Sequence, residues 1–288
     1  MKRLPLIVFV GLVAFAVAQD RLVFRDRKKD PRVQIEGNQG FFIPDKSFEL
    51  SGNVVVRQLV DKLTMSCQKA TGDLVKVTGK TEFDNVHLTG GVQVDQIGQT
   101  SSFGATGSKA DYDLKDSLRH LNLGGNVVLD FSGESDVKAD PKKQGSKPGK
   151  KSSTLNVKAT DADVTFKKIT KDNKESIEVQ AVTVTGPIQF NGNEVTKVEG
   201  KTSTQKFTAR ADRMTFRAKG ESGNAEVRLT GNLEIHQQDD SGDGPDIAGA
   251  KSLVLQLNDN YEIISIRFSS DGSGQIKTTF PPKGKGGR

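Results

Sequence analysis

The chain has 288 residues, of which 34% are hydrophobic, 27% charged and 6% aromatic, with 30 glycines, one cysteine and no tryptophan. This composition excludes collagen, a disulfide-stapled scaffold and a polytopic membrane protein, and the length allows one large or two modest domains. The formal net charge is +6, but the excess lies in the Lys-rich segment 133–154, in residues 277–288 and at the N-terminus, so the body of the protein is not expected to bind nucleic acid.

The first eighteen residues have the pattern of a secretory signal peptide. Met1-Lys2-Arg3 is a short positive region, residues 4–18 carry no charge, and Ala16-Val17-Ala18 has the small-x-small form of a cleavage site. The uncharged run is shorter than the roughly 20 residues that cross a bilayer, and no later run is long or apolar enough. The sequence therefore predicts an exported protein whose mature chain begins near Gln19 and has no membrane span.

One short phrase recurs five times after a leader of residues 19–45. It has an apolar residue at each end and glycine at its centre. The copies are Leu50–Val54, Leu88–Val92, Leu123–Val127, Val184–Ile188 and Leu229–Leu233. Apolar and polar residues alternate around every copy, as in a strand with one buried face. The central glycine occupies a position in the apolar row of this alternation. Glycine in this row indicates a place where the strand bends sharply or another backbone comes close.

Shorter strands of the same kind are predicted between the phrases, several of them introduced by Ala-Asp. These dipeptides are Ala110-Asp111, Ala162-Asp163 and Ala211-Asp212. Turn signals separate the strands, and no amphipathic helix of ten or more residues is recognisable. The sequence thus predicts an all-β protein, an elongated twisted antiparallel β-jellyroll built from repeated short strands.

The boundaries follow from the repeats and from composition. Repeat region 1 covers 46–131 and repeat region 2 covers 155–268, with a Lys-rich flexible insertion at 132–154 between them. Residues 269–288 are predicted to be a disordered basic tail. Two domains and one continuous body both fit the sequence, and we favour one elongated body because repeats bury their apolar rows against their neighbours.

No constellation of catalytic or metal-binding residues is recognisable. His87, His120 and His236 fall on polar strand parities in different repeats, and Asp239-Asp240-Ser-Gly-Asp243 is only part of a calcium loop. The lone Cys67 has the parity of a buried small side chain. We therefore expect a protein that is not an enzyme and has no cofactor or metal.

The strand phrases carry a resemblance to a known family. Residues 105–129, with Ala110-Asp-Tyr-Asp-Leu114 followed by Leu121-Asn-Leu-Gly-Gly-Asn-Val127, are similar to the recurring unit of the OstA-like family of periplasmic lipopolysaccharide-transport proteins, of the LptA type. Residues 48–58 and 227–237 resemble its strand phrase as well. The chain departs from the pattern in the Lys-rich insertion, at Pro187 and in its length.

The resemblance implies a taco-shaped fold whose two sheets enclose an apolar groove for acyl chains. The exported protein would then be a periplasmic lipid-binding bridge during lipopolysaccharide transport to the outer membrane, with the inward strand residues as its lining. The candidates are Leu50, Val54, Val56, Leu88, Val92, Val94, Leu121, Leu123, Val127, Leu129, Val184, Ile188, Leu229, Leu233 and Ile235.

The expected partners are lipopolysaccharide or a similar glycolipid, and other envelope transport proteins or a second copy that pairs strands end to end. Lys138 to Lys151 either meet lipid phosphates or an anionic membrane surface, or form a solvated linker. The alternative function is that of a structural or adhesive exported β-repeat protein, in which the inward row is only a solid core and the polar faces do the work. A hydrolase acting on envelope polymers is the least favoured hypothesis.

Overall fold

The computed structural model describes residues 21–25, 32–77, 79–97, 101–115, 118–137, 147–171, 174–219, 224–240, 242–257, 263–270 and 277–279. The region predicted as a signal peptide, 1–18, lies outside the described residues. Within them the regular structure consists of strands. They are β1 (Leu22–Arg25), β2 (Val33–Gly37), β3 (Gln39–Ile43), β4 (Ser47–Gln58), β5 (Leu63–Val77), β6 (Lys80–Ile97), β7 (Ser101–Lys115), β8 (Leu118–Val137), β9 (Gly149–Lys171), β10 (Lys174–Val198), β11 (Lys201–Arg217), β12 (Ala225–Asp239), β13 (Gly242–Leu257), β14 (Ile263–Ser269) and β15 (Lys277–Thr279).

All fifteen strands belong to one antiparallel sheet. Each strand from β4 to β13 pairs with the strands before and after it in the chain, β1 and β2 extend one edge, β3 pairs with β4, and β14 and β15 both pair with β13. At roughly 4.8 Å per strand, the path from β1 to β14 is on the order of 55 Å long. The predicted all-β, elongated antiparallel fold is confirmed, and both repeat regions lie in one continuous sheet.

A single line of β-bulges crosses the sheet from β4 to β13. At this line each even-numbered strand places two residues opposite one residue of its odd-numbered neighbour, which interrupts the pairing register. The two-residue members are 52–53, 90–91, 125–126, 186–187 and 231–232, opposite Gln68, Ser108, Thr160, Asp212 and Lys251. Bulges bend a strand and increase its twist. We call this line the crease.

The central glycine of every repeated phrase lies on the crease with a positive φ, from 75° at Gly52 to 101° at Gly186. Asn53 and Asn126 follow two of these glycines and are also left-handed, at 49° and 55°, which asparagine tolerates better than most residues. A Cβ on Gly125 would overlap the hydroxyl of Ser108, which donates a hydrogen bond of 2.9 Å to the carbonyl of Gly124. The prediction of a bend at these glycines is confirmed.

The crease divides the sheet into two half-sheets that fold onto each other. Half-sheet 1 holds the part of each even-numbered strand from β4 to β12 that precedes the crease and the part of each odd-numbered strand from β5 to β13 that follows it. Half-sheet 2 holds the remaining parts. Phe103 of half-sheet 2 and Phe166 of half-sheet 1 meet edge to face, with ring centroids 5.6 Å apart. The Gln96 amide also reaches the carbonyl of Ile177, at 3.5 Å, from one half-sheet to the other.

The strands that cross the crease are longer than the sequence indicated. They contain from 12 residues in β4 to 25 in β10. The Ala-Asp dipeptides lie in the interior of β7, β9 and β11 beside the crease, rather than at the start of separate short strands. A small alanine suits the inner side of a bent sheet, and Ala110, Ala162 and Ala211 are all buried.

Three segments outside the repeats also form strands. The region predicted as a leader, 19–45, contains β1, β2 and β3. Both β2 and β3 pair with β4, and β1 pairs with β2 at the edge of the sheet. Residues 132–137 and 149–154, predicted to be part of a flexible insertion, are paired parts of β8 and β9, and 138–146 lie outside the described residues.

The predicted disordered tail also differs from the structure in its described part. Lys277–Thr279 form β15 beside residues 246–248 of β13. The register of β14 covers β13 only from Ser252 to Leu257, so β15 supplies partners to backbone groups that β14 does not reach.

Candidate functional site

The candidate lipid-lining residues face the interior between the two half-sheets. All of them except Ile235 are buried, with Leu50, Leu88, Leu121 and Val184 at 0% exposure. The buried candidates all belong to a single apolar cluster that extends across both half-sheets, and Ile235 packs against that cluster. The structure therefore places these side chains together on one face, but their surface is covered by protein.

The inner face is less covered towards the C-terminal strands. On half-sheet 2, Phe131, Leu155, Gly192 and Phe207 stand in register across β8, β9, β10 and β11. Phe131 and Leu155 are half-buried, and Phe207 is 40% exposed. The ring of Phe207 covers Gly192, where a Cβ would overlap it. We call these four residues the half-exposed row.

Half-sheet 1 has a similar set at the same end of the molecule. Phe216, Val227 and Leu255 stand in register across β11, β12 and β13, and all three are half-buried against the core. An apolar side chain left partly exposed on an inward face is surface that a further apolar group can cover. The C-terminal part of the inner face is therefore the best candidate for binding a hydrophobic ligand.

A polar cluster lies at the rim of the folded sheet, away from the crease, in the N-terminal strands. Arg119 of β8 has the parity of buried Leu121 and is 2% exposed. It contacts Glu82 of β6 and lies 3.3 Å from Asp61, which is in the turn between β4 and β5. Arg32, next to β2, lies 3.8 Å from Glu82. We call Arg32, Asp61, Glu82 and Arg119 the rim cluster.

Burial and neighbouring groups shift the pKa values of Asp61, Tyr112 and Arg119. Burial raises the pKa of the Asp61 carboxyl above its ordinary value, although Arg119 opposes the shift. It also raises the pKa of the Tyr112 hydroxyl, which is hydrogen-bonded to Arg119. Burial alone disfavours the Arg119 cation, but Tyr112, Asp61 and Glu82 outweigh it and raise its pKa. Arg119 is therefore a buried, permanent positive charge.

The histidines lie on the outward faces. His87 is 2.6 Å from Asp111, His236 contacts Asp246, and the hydroxyl of Thr165 is 3.4 Å from His120. Within the described ranges, no group of three or more His, Cys, Asp or Glu side chains is arranged to hold a metal ion. In the segment that is similar to a calcium loop, Asp240 accepts a hydrogen bond of 2.7 Å from the backbone N–H of Thr204.

A shallow cavity of about 940 Å³ spans β5 to β11 on half-sheet 2. Two rows of outward-facing side chains line this cavity. The half-exposed row and its neighbours Gln96 and Phe103 lie between those two rows. The outward rows offer carboxylate, carboxamide and hydroxyl groups, and among them the Asn156 amide donates to Asp130 at 2.7 Å. This surface is suited to hydrogen bonding with a polar partner.

Sequence reasoning missed both the half-exposed row and the rim cluster. Phe207, Phe216 and Leu255 lie on strands between the repeated phrases, and counting parity along those strands would have found them. Glu82 and Arg119 share the apolar parity of Leu88 and Leu123, and charged residues in a buried row are the signal that would have found the cluster.

No protein-family model, curated protein or solved structure matches the chain. The similarity to the OstA-like family therefore rests on the strand phrases alone. Among the residues that the structure describes, no helix has the length and apolarity required to cross a bilayer.

Proposed function

We propose that the protein is a periplasmic lipid-binding bridge of the lipopolysaccharide-transport type. It holds the acyl chains of lipopolysaccharide or a similar glycolipid on the inner face of its sheet and catalyses no reaction. The single observation that carries the proposal is the half-exposed row, an inward apolar surface that includes the 40% exposed Phe207.

The chemistry of the surface fits an acyl chain. Each CH₂ removed from water contributes about 0.8 kcal/mol, so an acyl chain is held by contact area and needs no dedicated polar site. The half-exposed row runs across four strands, roughly 14 Å at the usual strand spacing. Such a surface binds without selecting the exact chain length, which suits a carrier that must also release its lipid.

The test is site-specific photo-crosslinking in the full chain, with lipopolysaccharide as the probe. A benzophenone side chain replaces Phe207, where it retains an aromatic ring on the inner face, and replaces the exposed neighbour Thr208 as the matched outward control. A third variant carries the probe at Leu88, which is fully buried. We expect crosslinks from position 207 and none from position 208.

Two results would contradict the proposal. Absence of crosslinks from position 207 in folded protein would show that the exposed apolar surface does not take lipid. Equal crosslinking from positions 207 and 208 would show adsorption to both faces. Deacylated lipopolysaccharide is the ligand control, and it is expected to abolish the crosslinks from position 207.

A second function, that of a structural or adhesive β-repeat protein, is favoured by a different observation. The inner row is almost completely buried over β4 to β8, as in an ordinary core, whereas the outward rows on half-sheet 2 present polar side chains along the cavity, among them Asp130, Asn156 and Asn191. In that case lipopolysaccharide neither crosslinks at position 207 nor raises the thermal midpoint of the protein. An envelope polysaccharide would instead crosslink to a probe at Asn191.

A further inference from the structure

The rim cluster joins the two half-sheets through two crossed ion pairs. Asp61 and Arg32 belong to the half-sheet 2 side, since Asp61 lies in the turn that ends β4 and Val33, which follows Arg32, pairs with Gln58. Glu82 and Arg119 belong to half-sheet 1. The pairs Arg119–Asp61 and Arg32–Glu82 therefore both cross from one half-sheet to the other, at 3.3 Å and 3.8 Å.

A contact between Arg119 and Glu82 ties the two crossed pairs into one network. Lys168 of β9 also approaches the network, 3.7 Å from Glu82, and the Tyr112 hydroxyl packs against Arg119. The side chain of Gln58, 1% exposed, lies inward at the same rim, and neither of its polar atoms has a hydrogen-bond partner. Such groups are costly to bury in an apolar interior.

This cost is informative because the neighbouring inner row is apolar. Replacement of a buried ion-pair network by apolar side chains is often neutral or stabilising, so such a network is weak as a source of stability. The pairs Arg119–Asp61 and Arg32–Glu82 instead define which residues of the two half-sheets meet at the rim. Removal of one charge leaves its partner buried and uncompensated, which is strongly destabilising for the closed rim.

We propose that the rim cluster is a latch that holds the two half-sheets together over β4 to β8 and keeps their inner row closed to hydrophobic ligands. Acyl chains are then confined to the C-terminal part of the inner face, where the half-exposed row lies. The use of the latch for lipid rests on the proposed function, but the latch itself does not. It predicts that loss of the crossed ion pairs exposes an inner row that is otherwise sealed.

Cys67 provides a native reporter for this opening. It is the only cysteine of the chain, it is 5% exposed, and it pairs with Val54 on the inner row next to the crease. A thiol reagent therefore reaches it through the interior that the latch closes. The experiment measures the rate of alkylation of Cys67 by iodoacetamide at fixed pH, in the full chain without lipid.

The test variant is Arg119→Met, which removes the charge shared by the network and retains a long side chain. We expect Cys67 to react at least tenfold faster in this variant while the far-UV circular dichroism keeps its strand signal. The matched control is Arg210→Met, which removes an exposed arginine 3.4 Å from Glu234, and it should leave the rate unchanged. If Arg119→Met does not fold, Glu82→Gln takes its place in the same assay.

An unchanged alkylation rate in a folded Arg119→Met or Glu82→Gln variant overturns the latch. A second arm repeats the photo-crosslinking with the probe at Leu88 in the Arg119→Met background. Crosslinks to lipopolysaccharide that are absent in the parent chain and present in this variant support both the latch and the lipid function. Faster alkylation without crosslinks at position 88 or 207 supports the latch and overturns the lipid function.

Discussion

The rings of Phe103 and Phe166 lie 5.6 Å apart in an edge-to-face contact, one on each half-sheet. Their strands, β7 and β9, are separated in the sheet by β8, so the two rings meet because the sheet folds and not because their strands pair. This contact is therefore a direct measure of closure between the half-sheets.

Truncation of this pair should be strongly destabilising. Phe103→Ala and Phe166→Ala are each expected to lower the free energy of unfolding by about 3–5 kcal/mol, the usual cost of a buried phenylalanine. The double variant should lose less than the sum, by about 0.5–1.5 kcal/mol, because the two rings interact directly. Urea denaturation checks this, with Phe268→Ala as the control, since Phe268 is 36% exposed. A fully additive double variant would show that the rings do not interact in solution.

Substitution of the crease glycines should depend on their neighbours. Gly125→Ala combines a φ of 76° with overlap on the Ser108 hydroxyl, and should destabilise by about 2–3 kcal/mol. Gly91 also has a positive φ, 69°, but nothing lies within 4 Å of its missing Cβ. Gly91→Asn should therefore be nearly neutral, as Asn53 and Asn126 indicate at the equivalent positions of other repeats. Equal losses in thermal midpoint for both variants would contradict this account.

The acid side of the stability profile should depend on Glu36. Burial raises the pKa of this carboxyl, but hydrogen bonds from Gln34 and Arg57 and the charges of Arg57 and Arg21 outweigh burial and lower it below the ordinary 4.5. A carboxyl whose pKa is lower in the folded than in the unfolded protein stabilises the fold. This stabilisation is complete at pH values above the unfolded-state pKa and is lost as the pH falls through the folded-state pKa.

The free-energy difference between the parent chain and Glu36→Gln should therefore be constant from pH 6 to 7 and should shrink as the pH falls below about 4.5. Denaturation by urea at several pH values measures it. Glu49→Gln is the control, because Glu49 is exposed and 2.8 Å from exposed Lys69, and such pairs contribute little to stability. A difference that stays constant down to pH 3 would exclude the stabilising role of Glu36.

Cys67 should be a poor nucleophile in the folded parent chain. Burial raises its pKa to about 11, although hydrogen bonds between the thiol and the backbone of Thr89 and Lys69 oppose the shift. Since the thiolate is the reactive form, the alkylation rate should still be rising above pH 10, where a thiol with the ordinary pKa of about 8.5 is almost fully ionised. The protein unfolded in urea provides that reference. A plateau at pH 10 in the folded chain would contradict the buried assignment.

The fold class could be predicted from the sequence because the repeated phrase carries two independent signals. The alternation around Leu88 and Leu123 identifies the buried face, and the central glycine identifies the bend. Strand length could not be predicted, because Ala110-Asp111 and Ala162-Asp163 beside the crease have the composition of a strand start. The pairing of Lys150 and Lys151 with β8 and β10 was also missed, since charged strand residues on an exposed arm have the composition of a linker.

The candidate site was only partly predictable for a related reason. The alternation of apolar and polar residues along one strand indicates which side chains point inward. It does not indicate how closely the two half-sheets approach each other. That distance depends on contacts between residues far apart in the chain, such as Arg119 with Asp61 and Gln96 with Ile177. Exposure at Phe207 and its absence at Leu88 therefore become visible only when the whole sheet is folded.

The alternation at the crease restricts how a sheet of this kind can change in length. Along the crease, strands that contribute two residues alternate with strands that contribute one. Removal of a single strand would therefore bring together two strands that contribute the same number of residues, and no bulge would form between them. Whole hairpins, in contrast, can be added or lost without disturbing the fold line. Gene variants of this architecture should therefore differ by pairs of strands, and the number of hairpins sets the distance that the body spans.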